Sequence, residues 1–187
     1  MLDRVFSALL LVFLALPMVG IALAVALSSR GGAIFRQKRI GRNGKPFVCL
    51  KFRTMYADAP HDRPSREMKD GRYVTPIGRF LRKTSLDELP QLYNVLRGEM
   101  SLVGPRPLIP CEEEVHMLRR RCGVEALRPG MTGLAQVRGR DLLEGREKAR
   151  LDTRYAKSAT LWGDARIMAQ TLSGIFHPQS AKHFQTK

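Results

Sequence analysis

Between Val5 and Leu27 the chain carries no charged residue. As one straight helix that run would be about 34 Å long at about 1.5 Å per residue, enough to cross a bilayer. Basic residues crowd its far side: Arg30, Arg36, Lys38, Arg39, Arg42 and Lys45. Positive loops stay on the cytoplasmic side, so the body of the protein is expected there. Ala24-Val25-Ala26 has the look of a signal-peptide cleavage site. Removal nevertheless fits poorly, because the apolar stretch exceeds the usual ~7–15 residues and a strongly basic sequence follows it.

Pro17 lies within the run. It lacks a backbone N–H, and its ring meets the carbonyl of Phe13 four residues earlier. That costs a regular helix about 3 kcal/mol, so a kink is expected. A sharp kink returns both ends to one face as a re-entrant hairpin, whereas a mild one leaves a single bent span. The residues alone are compatible with both.

The rest of the chain, about 160 residues, is enough for one cored domain. Lys plus Arg number 32 against 17 Asp plus Glu, a formal net charge of +15. Such a balance favours anionic partners: nucleic acid, acidic lipid headgroups or phosphorylated small molecules. Nucleic acid is disfavoured, since aromatic residues are 7% of the chain and no basic–aromatic run offers a stacking platform. Cys49, Cys111 and Cys122 are odd in number and widely spaced. They fit neither a disulfide framework nor a zinc site, and are expected as reduced thiols.

Ala33-Ile34-Phe35 and Phe47-Val48-Cys49-Leu50 flank an Asn43-Gly44 turn signal, which predicts a β-hairpin. Residues 56–73 are polar and rich in Asp, Pro and Arg, which predicts a surface loop. Helices are expected over residues 85–100, over Glu112–Cys122 with its acidic start and basic end, over Arg146–Lys157, and over Leu161–Phe176. In the last of these Leu161, Ala165, Met168, Leu172, Ile175 and Phe176 recur at helical spacing beside Trp162 and Arg166. That stripe suits either a membrane interface or the domain core.

The stretch Thr84-Ser85-Leu86-Asp87-Glu88-Leu89-Pro90 admits two readings. Ser85 and Glu88 have capping-box spacing, a purely structural use. Pro90 is awkward for a helix begun at Ser85, but is tolerated in the first turn of one begun nearer Asp87. In the chemical reading, adjacent carboxylates on a helix point about 100° apart and divide the labour. One attacks phosphorus or holds a metal while the other handles a proton or orients a partner. A carboxylate and a diphosphate repel, so such a site needs cations. Lys51 and Arg53 follow the hairpin, and Arg82 precedes the pair. Arg106 lies between two prolines, Arg128 precedes Pro129-Gly130, and Arg138-Gly139-Arg140 adds two more. Each alone is an ordinary surface charge. Arginine beside stiff or permissive backbone suits phosphate oxygens.

With those residues in view, the chain resembles the monotopic phosphoglycosyl transferases, a family of bacterial sugar transferases. The resemblance runs from the apolar segment to about Phe176. It is carried by Phe35-Arg36-Gln37 with Arg39 and Gly41, by Lys51-Phe52-Arg53-Thr54-Met55, and by Ser85 through Leu92. Ser101-Leu102-Val103-Gly104-Pro105-Arg106-Pro107, and Arg128-Pro129-Gly130 through Gly139-Arg140, complete it. The resemblance implies a mostly α fold with a small β-hairpin. It also implies a re-entrant membrane helix over 1–30 and, over 31–187, a cytoplasmic catalytic domain with interfacial amphipathic helices. The implied reaction moves a sugar-1-phosphate from a UDP-sugar to polyprenyl (undecaprenyl) phosphate, with release of UMP. Asp87 matches the family's nucleophile, forming a covalent phosphosugar–aspartyl intermediate, and Glu88 the second acid of the dyad. Mg²⁺ is the implied cofactor, with Asp87 as its implied protein contact. Lys51, Arg53, Arg82, Arg106, Arg128 and Arg138 are the implied substrate-binding cations. The implied location is the cytoplasmic face of the bacterial inner membrane, with membrane lipid and no nucleic acid as partner. Two departures stand out: Leu16-Pro17 replaces the family's frequent Ser-Pro at the membrane break, and Leu134 stands where many members carry an aromatic residue.

Overall fold

The computed structural model describes residues 2–60, 72–139 and 143–176. Arg140 and most of the expected loop at 56–73 lie outside the described residues. The apolar run does not fold as one helix. Helices α1 (Leu2–Phe13) and α2 (Ala15–Ser28) meet at a bend of 65°. The break lies where Pro17 predicts it: Leu14, beside the Phe13 carbonyl that Pro17 cannot bond, leaves helical geometry at φ −92°, ψ 3°. Among the described residues no single helix is long and apolar enough to cross a membrane, but the bent pair together has that length and composition.

The chain forms two compact units, Met1–Lys38 with Val48–Gly98, and Arg39–Phe47 with Glu99–Lys187. Packing groups the apolar segment with residues 48–98. The expected hairpin is present, β1 (Ile34–Ile40) bonded to β2 (Pro46–Phe52). At its tip Asn43 and Gly44 have φ of 56° and 73°, the left-handed pair that an Asn-Gly turn requires.

In the first unit Val25, Phe52 and Leu81 form a core, packed by Met18, Ile21, Ile34, Ile77, Leu86 and Leu89. Helix α3 (Pro76–Thr84), absent from the sequence reading, starts on Thr75, whose hydroxyl accepts from the Gly78 N–H at 3.0 Å. The helix expected over 85–100 is divided. A 3₁₀ turn spans Leu86–Glu88, and α4 (Gln91–Arg97) follows Pro90 and ends at Gly98. Helix α1 docks on α4: the buried Ser7 hydroxyl donates to the Leu92 carbonyl, and Arg4 Nη2 to the Arg97 carbonyl at 3.3 Å. Much of the remaining α1–α2 surface is exposed and apolar, including Leu9, Val12, Phe13, Leu16, Val19, Leu23 and Leu27.

The second unit contains a sheet that the sequence reading did not contain. Strands β3 (Ser101–Val103) and β4 (Gly130–Thr132) pair in parallel, Ser101 opposite Gly130 and Val103 opposite Thr132. Backbones here approach closely, since a Cβ on Gly130 would lie 2.1 Å from the Gly104 nitrogen. Helices α5 (Glu113–Arg121), α6 (Leu134–Arg138), α7 (Gly145–Ser158) and α8 (Leu161–Phe176) complete the unit. Arg119 of α5 and Asp152 of α7 form a buried ion pair, with Arg119 Nε 3.0 Å from Asp152 Oδ2. Burial pushes the Asp152 carboxyl up, against the pull of the Arg119 guanidinium beside it.

Helix α8 turns Ile167 inward against Val103 and Tyr155, and Thr171 against Thr132. The stripe noted in the sequence faces the other way: Leu161, Trp162, Ala165, Met168 and Leu172 are exposed, Trp162 at 83%. The core therefore does not use it. The side chains of Ile175 and Phe176 lie outside the described structure.

Candidate active site

The end of β2 organises the site, because each polar side chain from Lys51 to Thr54 holds a different element. Lys51 Nζ donates to Glu88 Oε1 at 2.6 Å, with both side chains less than one-fifth exposed. The Arg53 guanidinium gathers the carbonyls just past the end of α2: Nη2 donates to Ser29 at 2.7 Å and Nη1 to Arg30 at 3.0 Å. Its approach requires Gly31, where φ is +113° and a Cβ would lie 2.3 Å from Nη1. Thr54 is buried, its carbonyl accepts from the Thr75 N–H at 3.0 Å, and its hydroxyl accepts from Arg82 Nε at 2.8 Å.

Asp87 lies in the 3₁₀ turn and is 8% exposed. Ser85 before it is left-handed, φ 57° and ψ 15°, and its N–H closes α3 on the Arg82 carbonyl at 3.4 Å. In that geometry the capping box does not form. Ser85 makes no side-chain cap bond, its N–H goes to the Arg82 carbonyl, and Glu88 Oε1 accepts from Lys51. A non-glycine residue held at positive φ costs about 1–2 kcal/mol, and such strain concentrates at functional sites.

Asn94 fixes the spacing between the carboxylate turn and Lys51. Its side-chain oxygen accepts from the Leu50 N–H at 3.1 Å, and its amide donates to the Val48 carbonyl at 2.7 Å, riveting α4 along β2. Neither Asn94 nor Thr54 was singled out in the sequence. A buried asparagine between Tyr93 and Val95 was the available signal, since amides inside helices usually serve a specific partner.

The structure thus brings Lys51 to Glu88, places Arg82 on Thr54, and commits Arg53 to the end of α2. Arg106, Arg128 and Arg138 belong to the second unit. Arg106 is half-buried within a loop after β3, Arg128 is half-buried before β4, and Arg138 is exposed at the end of α6.

The family model described as bacterial sugar transferase matches residues 1–178. The chain belongs to the bacterial sugar transferase family. An uncharacterized sugar transferase of Haemophilus influenzae is 44% identical over 166 residues, covering 81% of this chain and 35% of that protein. A Caulobacter vibrioides protein named UDP-glucose:undecaprenyl-phosphate glucose-1-phosphate transferase is 42% identical over 192 residues, 96% of this chain and 70% of its own. A Salmonella typhimurium undecaprenyl-phosphate galactose phosphotransferase is 41% identical over 170 residues, 81% of this chain and 35% of its own. The chain therefore spans about a third of two of these relatives and most of the other.

Magnesium prefers one or two carboxylates together with substrate phosphates and water. Among the described residues no group of three or more His, Cys, Asp or Glu side chains forms a protein cage for a metal. The adjacent carboxylates of Asp87 and Glu88, the latter already engaged by Lys51, match the donor set of an ion carried in with a diphosphate.

Proposed function

We propose that this sugar transferase moves a sugar-1-phosphate from a UDP-sugar to undecaprenyl phosphate at the cytoplasmic face of the bacterial inner membrane. An Asp87 carboxylate oxygen attacks the β-phosphorus of the donor. The bond from that phosphorus to the bridging oxygen breaks, and UMP leaves with the oxygen. A phosphate oxygen of undecaprenyl phosphate then attacks the same phosphorus. The aspartyl–phosphorus bond breaks, which regenerates Asp87 and yields a lipid diphosphate-linked sugar, the opening membrane step of glycoconjugate synthesis.

Burial of Asp87 strips water from the nucleophile, and the Lys51 ammonium holds Glu88 in one orientation beside it. Glu88 accepts a proton or orients the acceptor. Lys51 and Arg82 are the proposed phosphate-binding cations of the first unit, and Arg106, Arg128 and Arg138 those of the second. Arg53 supports binding through the end of α2 that it already holds. Mg²⁺, held by Asp87 and the donor diphosphate, would neutralise charge on the phosphates.

The bent pair α1–α2 is proposed as the re-entrant membrane segment over residues 1–30, leaving 31–187 as the cytoplasmic catalytic domain. Its many exposed large apolar side chains support that reading, since such clustering is uncommon on surfaces that face water. The exposed stripe of α8 is proposed to lie in the same membrane's interface.

The observation that carries the proposal is the buried Asp87 in a strained turn beside a Lys51-locked Glu88. Its test is purified protein with UDP-glucose or UDP-galactose, Mg²⁺ and undecaprenyl phosphate, following UMP. The wild type is expected to release UMP and to trap a labelled phosphosugar adduct, and Asp87→Asn to do neither. UMP release undiminished in Asp87→Asn would remove the nucleophile, and no UMP from the wild type with any UDP-sugar would remove the activity.

A further inference from the structure

From Val103 to Ile109 every residue is buried except Arg106, which is half-buried. Pro105 and Pro107 on either side have no N–H, so this loop can be held mainly through its carbonyls. Four successive carbonyls each accept from a different donor. Pro105 accepts from the Gly130 N–H at 2.9 Å, Arg106 from Arg119 Nη1 at 2.8 Å, Pro107 from Arg39 Nη1 at 2.8 Å, and Leu108 from the Ile40 N–H at 2.9 Å.

Two of these donors are backbone amides, as any turn provides. The other two are arginine side chains brought from β1 and α5. A guanidinium on a backbone carbonyl leaves its charge to be met elsewhere, and for Arg119 a second buried residue, Asp152, does so. Ordinary loop packing does not call for that expense, because buried ion pairs seldom add net stability over apolar residues. What the arrangement does supply is a fixed backbone on both sides of Arg106. Immobilising the origin of a long arginine lowers the ordering cost of each contact it makes.

We propose that Arg39 and Arg119 are positioning residues for Arg106, fixing the loop from which its guanidinium binds the donor phosphates. The inference rests on the reading of Arg106 as a phosphate ligand. Neither arginine needs to touch substrate, so each acts only through Arg106.

A double-mutant cycle tests this on the full chain with its better donor of UDP-glucose and UDP-galactose. Arg39→Ala is expected to lower kcat/KM roughly tenfold, mainly through KM, on the scale of one lost charge-assisted hydrogen bond. In an Arg106→Ala background the same change should lower it less than about twofold. Arg39→Lys, which can still donate to the Pro107 carbonyl, should recover most of the loss. Equal fold losses in both backgrounds, or no loss in either, would overturn the inference while leaving Arg106 as a ligand. Wild-type kinetics in Arg106→Ala alone would overturn the reading of Arg106 and the inference with it. If Arg39→Ala does not fold, Arg39→Gln replaces it in the same cycle with the same expected outcomes.

Discussion

Replacing Asp152 by alanine tests what one buried ion pair contributes to the second unit. Asp152 is 1% exposed and Arg119 7%. Arg119 gives two N–H groups to Asp152 Oδ2 and a third to the Arg106 carbonyl. Asp152→Ala strands the guanidinium in the interior without its counter-charge, at about 3–5 kcal/mol. For a chain of this size, at about 2–4 °C per kcal/mol, the melting temperature should fall by about 6–20 °C. Asp152→Asn keeps the volume and one acceptor oxygen, and loses about 1.5–3 kcal/mol with the charge. The double variant Arg119→Met/Asp152→Leu removes both charges, and should melt within a few degrees of wild type.

The raised carboxyl fits that last expectation, because it means that burial outweighs the attraction of Arg119. It also fixes a pH dependence. Native Asp152 holds its proton more tightly than the unfolded chain, whose value is near 3.8. As pH rises from there through the raised folded value, the native state binds the more protons, so stability falls. Asp152→Asn lacks this slope, and the gap between wild type and Asp152→Asn should narrow as pH rises. Thermal unfolding followed by circular dichroism in detergent, across that pH range, measures all four proteins. A double variant melting as low as Asp152→Ala, or a gap that widens with pH, would show that the pair is a net source of stability and refute this reasoning. The double variant also removes the donor to the Arg106 carbonyl without a large change in melting, so its kcat/KM should drop, mainly through KM, while its fold persists.

A re-entrant α1–α2 makes a topological prediction. With Cys49, Cys111 and Cys122 replaced, Leu2→Cys should react with a membrane-impermeant thiol reagent only from the cytoplasmic side; periplasmic reaction would make the segment a span. Two neighbouring glycines should separate sharply. Gly31→Ala puts a methyl group 2.3 Å from Arg53 Nη1 at φ +113° and should lower stability by about 1–3 kcal/mol, whereas Gly32→Ala meets nothing within 4 Å and should be nearly neutral in the same melt.

Elements with local causes were legible. α5, α7 and α8 fall within a residue of the expected ranges, because periodicity and end charges define them without help from distant chain. α3 was not legible. Pro76-Ile77-Gly78 reads as a turn, and what makes it helical is the Thr75 cap together with the seat of Gly78 on Thr54, where a Cβ would lie 2.0 Å from the carbonyl oxygen. β3 and β4 were hidden for a related reason. Three residues carry no alternation, and glycines that admit close backbone approach determine their pairing. For the candidate site the contacts were not legible: Lys51 and Glu88 stand 37 positions apart in different motifs.

The stretch around Asp87 shows why spacing alone could not choose between a structural and a chemical use. Serine and glutamate three apart satisfy a capping box only if the serine has extended backbone and the next residues begin a helix. Both conditions depend on the chain before Ser85. Here α3 runs into Ser85 and ends on it, which forces the left-handed turn, and Pro90 delays α4 beyond the carboxylates. In that arrangement Glu88 Oε1 accepts from Lys51. The geometry that denies the pair its ordinary structural role is the same geometry that buries Asp87 beside a fixed, charge-matched neighbour.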